Sequence, residues 1–504
     1  MNPIPETALP PRRGFLRRLF SWRWLRRALI GVIGLATLTG LLVTEENWRG
    51  KHDWEIYRHE QEAKGESFDW QAFAPPTVPD DKNFLAAPVF TNLLNDKTAL
   101  NPFPKSSKQF LYGFGNWQKA VLTDLKPWQT AYRQLRTDDN GVAFPLSPQP
   151  QAPADDVLFA LNQFDPQVAG LRQASLRPYA FIPCHFEDGF GEVAQALLPN
   201  LAVTKRCAQI LDIRSIAELA DGQSSKALDD IELSLRLNDA LRNPPFLISE
   251  LVRMAILGLG IQPIWEGLAQ HQWSDSQLAA LDAALAKEDF LADYELTMRG
   301  ERNCAVSTFE TMRQTGEMIV SDGDGNELTM KIRWAPNAFY YQNELAFAGL
   351  YQQWFFPLAN LKTRIILPAV QRQVDAEIRG AQKHYSPYTA MALMTAPALD
   401  AAVKHFAFAQ ASIDLARVGC ALERYRLAHG QYPDSLAVLE PQFLTQVPHD
   451  IINGQPLHYR LNPNGQFVLY SVGWNETDDG GVVVIDQKHG TVRRDEGDWV
   501  WQYP

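Results

Sequence analysis

The chain has 504 residues, of which 46% are apolar and 21% charged, and its formal net charge is −11. This mix supplies a large core and predicts about two to four folded domains. Residues 1–27 carry seven arginines against one acid, a net of +6, which leaves −17 for the remainder (−11 minus 6). A body this acidic excludes nucleic acid as an expected partner, because phosphate contacts need clustered Lys and Arg.

An uncharged apolar run, ALIGVIGLATLTGLLV, occupies residues 28–43. It is near the lower length limit for a helix that spans ~30 Å of hydrocarbon, and Trp22, Trp24 and Trp48 flank it as interfacial residues do. We predict a transmembrane helix at residues 28–44. A cleaved signal peptide and a buried helix of a soluble protein are the alternatives.

The charges that flank this run are one-sided. All seven arginines (Arg12, Arg13, Arg17, Arg18, Arg23, Arg26 and Arg27) precede it, whereas Glu45 and Glu46 follow it. The positive-inside rule therefore predicts a basic cytoplasmic tail at 1–27, a single pass through the inner (cytoplasmic) membrane, and an extracytoplasmic or periplasmic body. A second apolar run at 251–269 contains Arg253 and Glu266, and we interpret it as a core helix.

The body is predicted to be mainly α. Residues 45–155 form a juxtamembrane helix that ends near Gly65, followed by an irregular linker region rich in Pro, Asn and Gly. Residues 156–404 have helical periodicity from about 157 onward, with a helix at 195–220 and a turn at 221–224. The spacing of Ser274 and Gln277 predicts a capping box. These signals indicate helical hairpins, for which a stacked, solenoid-like arrangement is one packing.

The last long helix has an apolar seam with 3-4-3-4-3 spacing. Two interpretations stay open: a coiled-coil dimer face, or a face covered by the chain's own next segment. The second is favoured, with a sheet as the cover. The seam residues are Phe408, Ala411, Leu415, Val418, Leu422 and Tyr425.

Residues 405–504 are predicted to form a small α+β domain with an antiparallel sheet. Gly430 suits the C-terminal end of the helix, and Asp434 is predicted to cap a short helix at 435–440. Strands are expected at 457–461, 466–472 and 482–485, with a hairpin turn over residues 462–465, Asn-Pro-Asn-Gly.

This module resembles the C-terminal domain of type II secretion pseudopilins. Tyr425, Arg426, Gly430, Tyr432 and Pro433 match the end of the family's helix, and the matches that follow are Pro448, Asp450, Gly454, Pro456 and residues 470–473. The resemblance covers about a fifth of the chain. About 360 residues separate the anchor from the module, and no pseudopilin processing motif precedes the anchor, which argues against assembly as a pilus subunit. The whole chain is also similar to uncharacterised membrane-anchored envelope proteins of planctomycete and verrucomicrobial bacteria.

The pseudopilin resemblance implies a calcium ion in the loop at 473–481. Hard oxygen ligands on a glycine-flexed loop suit Ca²⁺, and we name Asn475, Asp478 and Asp479 as ligands, with Asp486 as a weaker fourth. A solvated acidic turn is the alternative. No other cofactor is predicted.

No catalytic motif is recognisable in the sequence, and a non-enzymatic role is favoured. The four cysteines (Cys184, Cys207, Cys304 and Cys420) lack zinc-site spacing, and buried free thiols are the preferred interpretation. Charges at Glu295, Arg299 and Arg302 predict buried ion pairs, with Arg299 or Arg302 meeting Glu295, that fix helix register, and a ligand site is the alternative. The first functional hypothesis is a membrane-anchored structural or protein-interaction component that binds an envelope or secretion partner. The alternatives are an exported hydrolase with a site assembled from distant residues, and an atypical pseudopilin-like secretion component.

Overall fold

The computed structural model describes residues 22–96, 100–104, 113–188, 190–321 and 327–504. The fold is mainly α, with an N-terminal apolar helix and a small C-terminal antiparallel sheet, as predicted. The chain forms two compact units. In its described part the first contains residues 22–67, 309–321, 327–346 and 387–389, and the second contains the other described residues.

The helices are numbered in chain order. They are α1 (Trp22–Glu62), α2 (Pro88–Asn95), α3 (Leu125–Leu135), α4 (Pro153–Leu161), α5 (Asp165–Ser175), α6 (Phe190–Ala220), α7 (Ser224–Asp239), α8 (Leu247–Ala269), α9 (Asp275–Leu285), α10 (Phe290–Thr315), α11 (Asn337–Leu350), α12 (Pro368–Ala381) and α13 (Ala390–His429). The strands are β1 (Glu317–Ser321), β2 (Glu327–Lys331), β3 (Ala359–Asn360), β4 (Ile365–Ile366), β5 (His458–Leu461), β6 (Phe467–Ser471), β7 (Val483–Ile485), β8 (Val492–Gly497) and β9 (Trp499–Gln502).

Helix α1 joins the predicted anchor and the predicted juxtamembrane helix into one element. It ends at Glu62, and the positive φ of Gly65 (+92°) closes the turn that follows, where the helix end was expected. The apolar side chains of the run are exposed, with Leu35 at 66% and Leu42 at 56%. Arg12, Arg13, Arg17 and Arg18 lie outside the described residues.

By length and composition, α1 and α8 could each cross a membrane. They differ in burial, because α8 packs against α6, α7 and α13, whereas the most apolar part of α1 is fully exposed. The structure thus places α8 in the core of the second unit, as predicted.

A buried ion cluster ties α8 to its neighbours. The guanidinium of Arg253, itself fully buried, donates to Glu250 (2.7 and 2.8 Å), to Glu288 (2.8 Å) and to Asp293 (2.7 Å). Its Nε also donates to the carbonyl of Asn238 at the end of α7 (3.2 Å). A backbone carbonyl of α7 and carboxylates from α8, the α9–α10 loop and α10 therefore meet at one cation, which fixes the register of α8.

Two predictions about this helical region are confirmed, and a third is confirmed in part. Helices α6 and α7 pack as a hairpin around the turn at Gly222, and Ser274 and Gln277 form the predicted capping box. Arg299 pairs with Glu295 at 2.5 Å, as predicted, but the pair is partly exposed rather than buried. Arg302 instead is fully buried and lies over the rings of Phe68 and Phe356.

The sequence pattern did not predict the strands that interrupt the helical region. Strands β1 and β2 pair antiparallel between α10 and α11, and β3 pairs with β4 before α12. Their short apolar stretches are indistinguishable by periodicity from helix ends.

In the C-terminal module, α13 packs against a three-stranded antiparallel sheet with the order β5-β6-β9. The predicted hairpin joins β5 to β6, and Gly465 has the positive φ (+83°) that this turn requires. Val418 and Leu422 in the seam are fully buried, and Trp501 of β9 lies against Gly419. The seam is therefore covered within the chain, as favoured.

Two details of this module differ from the prediction. The short helix is a single 3-10 turn over Leu436–Leu439, whose N-cap is Ser435 rather than Asp434, and no side chain caps it. The strand predicted at 482–485 pairs with β8 in a separate two-stranded sheet. In addition, strands β8 and β9 were not predicted: β8, with the sequence VRRDEG, is mostly charged, and β9, with the sequence WVWQ, is too short to show alternation.

Candidate functional site

The second unit contains a cavity of about 470 Å³, which we call the Asp212 cavity. It lies between helices α6 and α8, with the loop at 113–125, helix α13 and strand β8 completing its wall. The apolar part of the wall is formed by Phe114, Trp117, Leu125, Trp128, Ile213, Ile216, Leu251, Met254, Leu259 and Phe408. A concave, mainly apolar surface of this size is typical of small-molecule sites.

One face of α8 forms a continuous side of the cavity. Met254, Gly258 and Gln262 recur at intervals of four residues and so lie one above the other. A Cβ at Gly258 would meet no atom within 4 Å, so the absence of a side chain leaves that space to the cavity. The ion cluster around Arg253 fixes the rotation of α8 and so determines which face of the helix lines the cavity.

The polar end of the cavity contains the carboxyl of Asp212. Its Oδ1 is buried and has no hydrogen-bond partner among the described residues. Burial, and then repulsion from Glu266, raise the pKa of Asp212 well above its usual value. A protonated Asp212 can donate a hydrogen bond into the cavity, as an ionised one cannot.

Glu266 lies behind this wall and is held by polar groups from two elements. Its Oε1 accepts from the hydroxyl of Thr123 (2.6 Å), the amide of Thr123 (3.0 Å) and Nε2 of Gln262 (2.8 Å). Burial raises the pKa of Glu266 against the lowering effect of these bonds. The loop approaches so closely that a Cβ at Gly115 would lie 2.3 Å from Nε2 of Gln262, so a larger residue there would displace the Gln262 side chain.

The rim of the cavity is basic. The guanidinium of Arg494 lies 4.0 Å from the ring centroid of Phe408, and its Nη1 is 3.4 Å from Nδ1 of His405. Burial, and then the charge of Arg494, lower the pKa of His405, which favours the neutral imidazole. No carboxylate lies within ion-pair distance of Arg494 in the described part of the chain, and burial lowers the pKa of its guanidinium. The rim can therefore receive an anionic group.

The three predicted calcium ligands lie together in the turn after β6. Asp478 accepts hydrogen bonds from the hydroxyl of Tyr470 (3.0 Å) and the amide of Gly480 (2.9 Å), and it lies 3.4 Å from His458. Asp479 accepts from the Asn475 amide (2.8 Å). The donor set has the hard oxygens that Ca²⁺ prefers, but an ion would have to replace these bonds.

Asp486, the weaker fourth ligand, accepts from the amide of Lys488 at 2.8 Å and lies 3.0 Å from His489. Among the described residues, no group of three or more His, Cys, Asp or Glu side chains is placed to hold a metal. The predicted calcium ligands are two carboxylates and an asparagine, and calcium binding through Asn475, Asp478 and Asp479 stays a prediction.

The cysteines are free thiols. Cys207, Cys304 and Cys420 are buried and Cys184 is half-buried. Burial raises the pKa of Cys207 to about 12 and also raises the pKa of Cys184. Since the thiolate is the nucleophile, none of these groups is activated for catalysis.

Sequence reasoning missed the Asp212 cavity, because its residues are scattered from position 114 to position 494. One signal was present: Gly258 and Gly260 stand inside an otherwise continuous apolar helix, where glycine destabilises and so marks a packing or binding role. Asp212 within the apolar face of α6 is a second such signal.

Comparison of the chain with protein-family models, with curated proteins and with solved structures gives no match.

Proposed function

We propose that the protein is a membrane-anchored, extracytoplasmic binding protein of the cell envelope, which holds a small ligand in the Asp212 cavity. The observation that carries this proposal is the combination of an apolar wall, which includes Trp117 and Trp128, with the carboxyl of Asp212, whose buried oxygen Oδ1 lacks a hydrogen-bond partner among the described residues. A buried polar group without a hydrogen bond costs about 1–3 kcal/mol, and a ligand acceptor would relieve that cost.

The chemistry of the cavity favours an amphipathic ligand. Its apolar part would lie against Trp117 and Trp128, an acceptor would meet Asp212, and an anionic end would face Arg494 and His405. The volume of about 470 Å³ suits a molecule of one or two rings or a short acyl chain.

The orientation of α1 across the membrane is part of the proposal. Arg23, Arg26 and Arg27 stand at the N-terminal end of the apolar run, and Glu45 and Glu46 at the other, which favours a cytoplasmic N-terminus. A single pass through the inner membrane then places the ligand cavity outside the cytoplasm. The resemblance of the C-terminal module to pseudopilins supports a place near secretion machinery, and a protein partner in the envelope is compatible with a ligand-binding body.

The test uses 2-naphthoate, an aromatic carboxylate that fits the cavity, and the full chain in lipid nanodiscs. With about 13 heavy atoms at ~0.3 kcal/mol each, it should bind with ~4 kcal/mol, a Kd near 1 mM. Saturation-transfer NMR with empty nanodiscs subtracted should detect binding by the wild type.

Two variants make the test specific. Gly258→Trp should abolish the signal by filling the cavity, whereas Gly380→Trp should keep it, because Gly380 is an exposed helical glycine with equally open space around it. Equal signals from both variants, or no wild-type signal at several millimolar naphthoate, would refute binding in the cavity.

One observation favours a second candidate function, acid catalysis. Asp212 is a partly buried acid with a raised pKa, and such groups act as general acids in hydrolases. Conversion of chromogenic ester or glycoside substrates by the wild type, with loss of activity in Asp212→Asn, would support the enzyme. Binding of naphthoate without turnover of any such substrate would favour the binding protein.

A further inference from the structure

A tryptophan in the first unit is almost fully exposed. Trp334 is 83% exposed and stands in the tight turn between β2 and α11, which the amide of Ala335 closes by donating to the carbonyl of Ile332 (2.9 Å). Lys331 and Arg333 beside it are exposed as well. An indole of this exposure is costly in water but is favoured at a membrane–water interface.

The position of this turn follows from the direction of α11. The amide of Ala338 donates to Oδ1 of Asn47 (2.8 Å), and Nε2 of Gln342 donates to Oδ2 of Asp53 (3.4 Å). Residue numbers on α11 therefore rise together with those on α1, and the two helices run in the same direction. The turn that precedes α11 lies at the end nearer the apolar run.

The neighbouring helix gives the same direction independently. Arg313, near the end of α10, lies over the ring of Tyr341 at 5.1 Å, and the charge of Glu310 acts on Glu344. Helices α10 and α11 therefore run antiparallel. The end of α10 and the start of α11, between which β1 and β2 lie in the chain, are therefore both on the side of the apolar run.

The rise per residue of an α-helix gives the depth of this turn relative to the bilayer. The apolar run ends at Val43, and Asn47 is four residues further, which is ~6 Å at 1.5 Å per residue. The polar interfacial layer on each side of a bilayer is ~5–8 Å thick. Asn47, the neighbouring Trp48 (65% exposed) and the turn before α11 therefore share the height of that layer.

We infer that the turn from Ile332 to Pro336 is a second membrane contact, in which Trp334 enters the headgroup interface of the bilayer that α1 spans. Lys331 and Arg333 face lipid phosphates there, and Trp48 occupies the same layer from α1. Two contacts at one height would fix the tilt and rotation of the first unit on the membrane. This inference rests on the proposed anchoring by α1.

The test measures depth with a nitroxide on the full chain in phosphatidylethanolamine–phosphatidylglycerol nanodiscs. The background carries Cys184→Ser, since the other three cysteines are buried. Labels at Leu35→Cys and Ile56→Cys calibrate the scale, because both side chains are exposed on α1 and Ile56 lies ~18 Å beyond Thr44. The label under test is Arg333→Cys, which leaves Trp334 in place.

Collision with oxygen and with a water-soluble nickel complex gives the depth of each label. We expect the label at 333 to lie between those at 35 and 56, and to move toward water when Trp334→Ser is added. The second contact would be overturned if the label at 333 were as accessible to nickel as the label at 56 while the label at 35 lay deep in the bilayer. That result would leave the anchoring by α1 intact. A label at 35 in water would overturn the anchor itself and this inference with it.

Discussion

Replacement of Arg253 by methionine tests how the register of α8 is held. Methionine keeps most of the side-chain volume but removes a cation that donates to three buried carboxylates at 2.7–2.8 Å. Removing one partner of a buried ion pair lowers the free energy of unfolding by about 3–5 kcal/mol, because an uncompensated charge is left in the interior. With three carboxylates involved, we expect the upper end of that range at pH 8, a large share of the ~5–15 kcal/mol of a typical domain.

The pH dependence identifies the cause. Burial already raises the pKa of Glu250 to about 7 and raises that of Glu288. A carboxyl with a raised folded-state pKa contributes stability that is full below its unfolded pKa near 4.5 and is lost as the pH rises through the folded pKa. Without Arg253 these pKa values rise further, so the cost of Arg253→Met should shrink between pH 8 and pH 5, by about 1.4 kcal/mol per pH unit for each additional proton bound.

Urea unfolding followed by tryptophan fluorescence at pH 5, 6.5 and 8 measures this. The double variant Glu250→Gln with Arg253→Met should recover part of the loss at pH 8, because fewer unpaired charges remain. The control is Arg379→Met, which removes an exposed pair with Asp375 and should cost under about 1 kcal/mol at every pH. A cost for Arg253→Met that is equally small, or the same at pH 5 and pH 8, would refute the reasoning.

Three further predictions concern the cavity, the packing of α10 and the calcium loop. Asp212→Asn should leave the free energy of unfolding near pH 4 unchanged and raise it by about 1–3 kcal/mol at pH 8. The reason is that the contribution of the wild-type carboxyl to stability falls as the pH rises toward its raised folded-state pKa. Urea unfolding at both pH values checks this. Gly300→Ala would place a methyl group 2.4 Å from the carbonyl oxygen of Pro245 and should cost at least about 1–3 kcal/mol by the same assay. Calcium at 100 times its Kd should stabilise the protein by about 2.7 kcal/mol, an effect lost in Asp478→Ala and in Asp479→Ala, and an unchanged melting temperature at millimolar calcium would refute the site.

Local sequence signals predicted the elements they control directly. The capping box at Ser274, the turn at residues 462–465 and the end of α1 near Gly65 each depend on side chains within four residues of one another. The covered seam of α13 was predictable because its spacing is long and regular. Strand β9 has only four residues, and its place beside β6 is set by Trp501 packing on α13, a contact between residues about 80 positions apart.

The Asp212 cavity could not be read from the sequence for a related reason. Its polar end needs Asp212, Thr123 and Glu266 together, and its basic rim needs His405 beside Arg494. Each residue is unremarkable in its own segment. Only Gly258 and Asp212 break a local pattern, and such breaks occur where function or strain overrides local preference.

The C-terminal module is part of the body that contains the cavity, and this bears on its role. The indole of Trp265 in α8 donates to the carbonyl of Gln502 in β9 (3.0 Å), and Glu423 of α13 lies 2.8 Å from His271 after α8. Phe408 and Arg494 belong to the module and also line the cavity. A protein that docked on this module and shifted β8 would therefore move Arg494 at the rim, so ligand binding and partner binding would be linked through one strand. By reciprocity, a partner that weakened naphthoate binding tenfold would itself be bound about tenfold more weakly in the presence of saturating naphthoate.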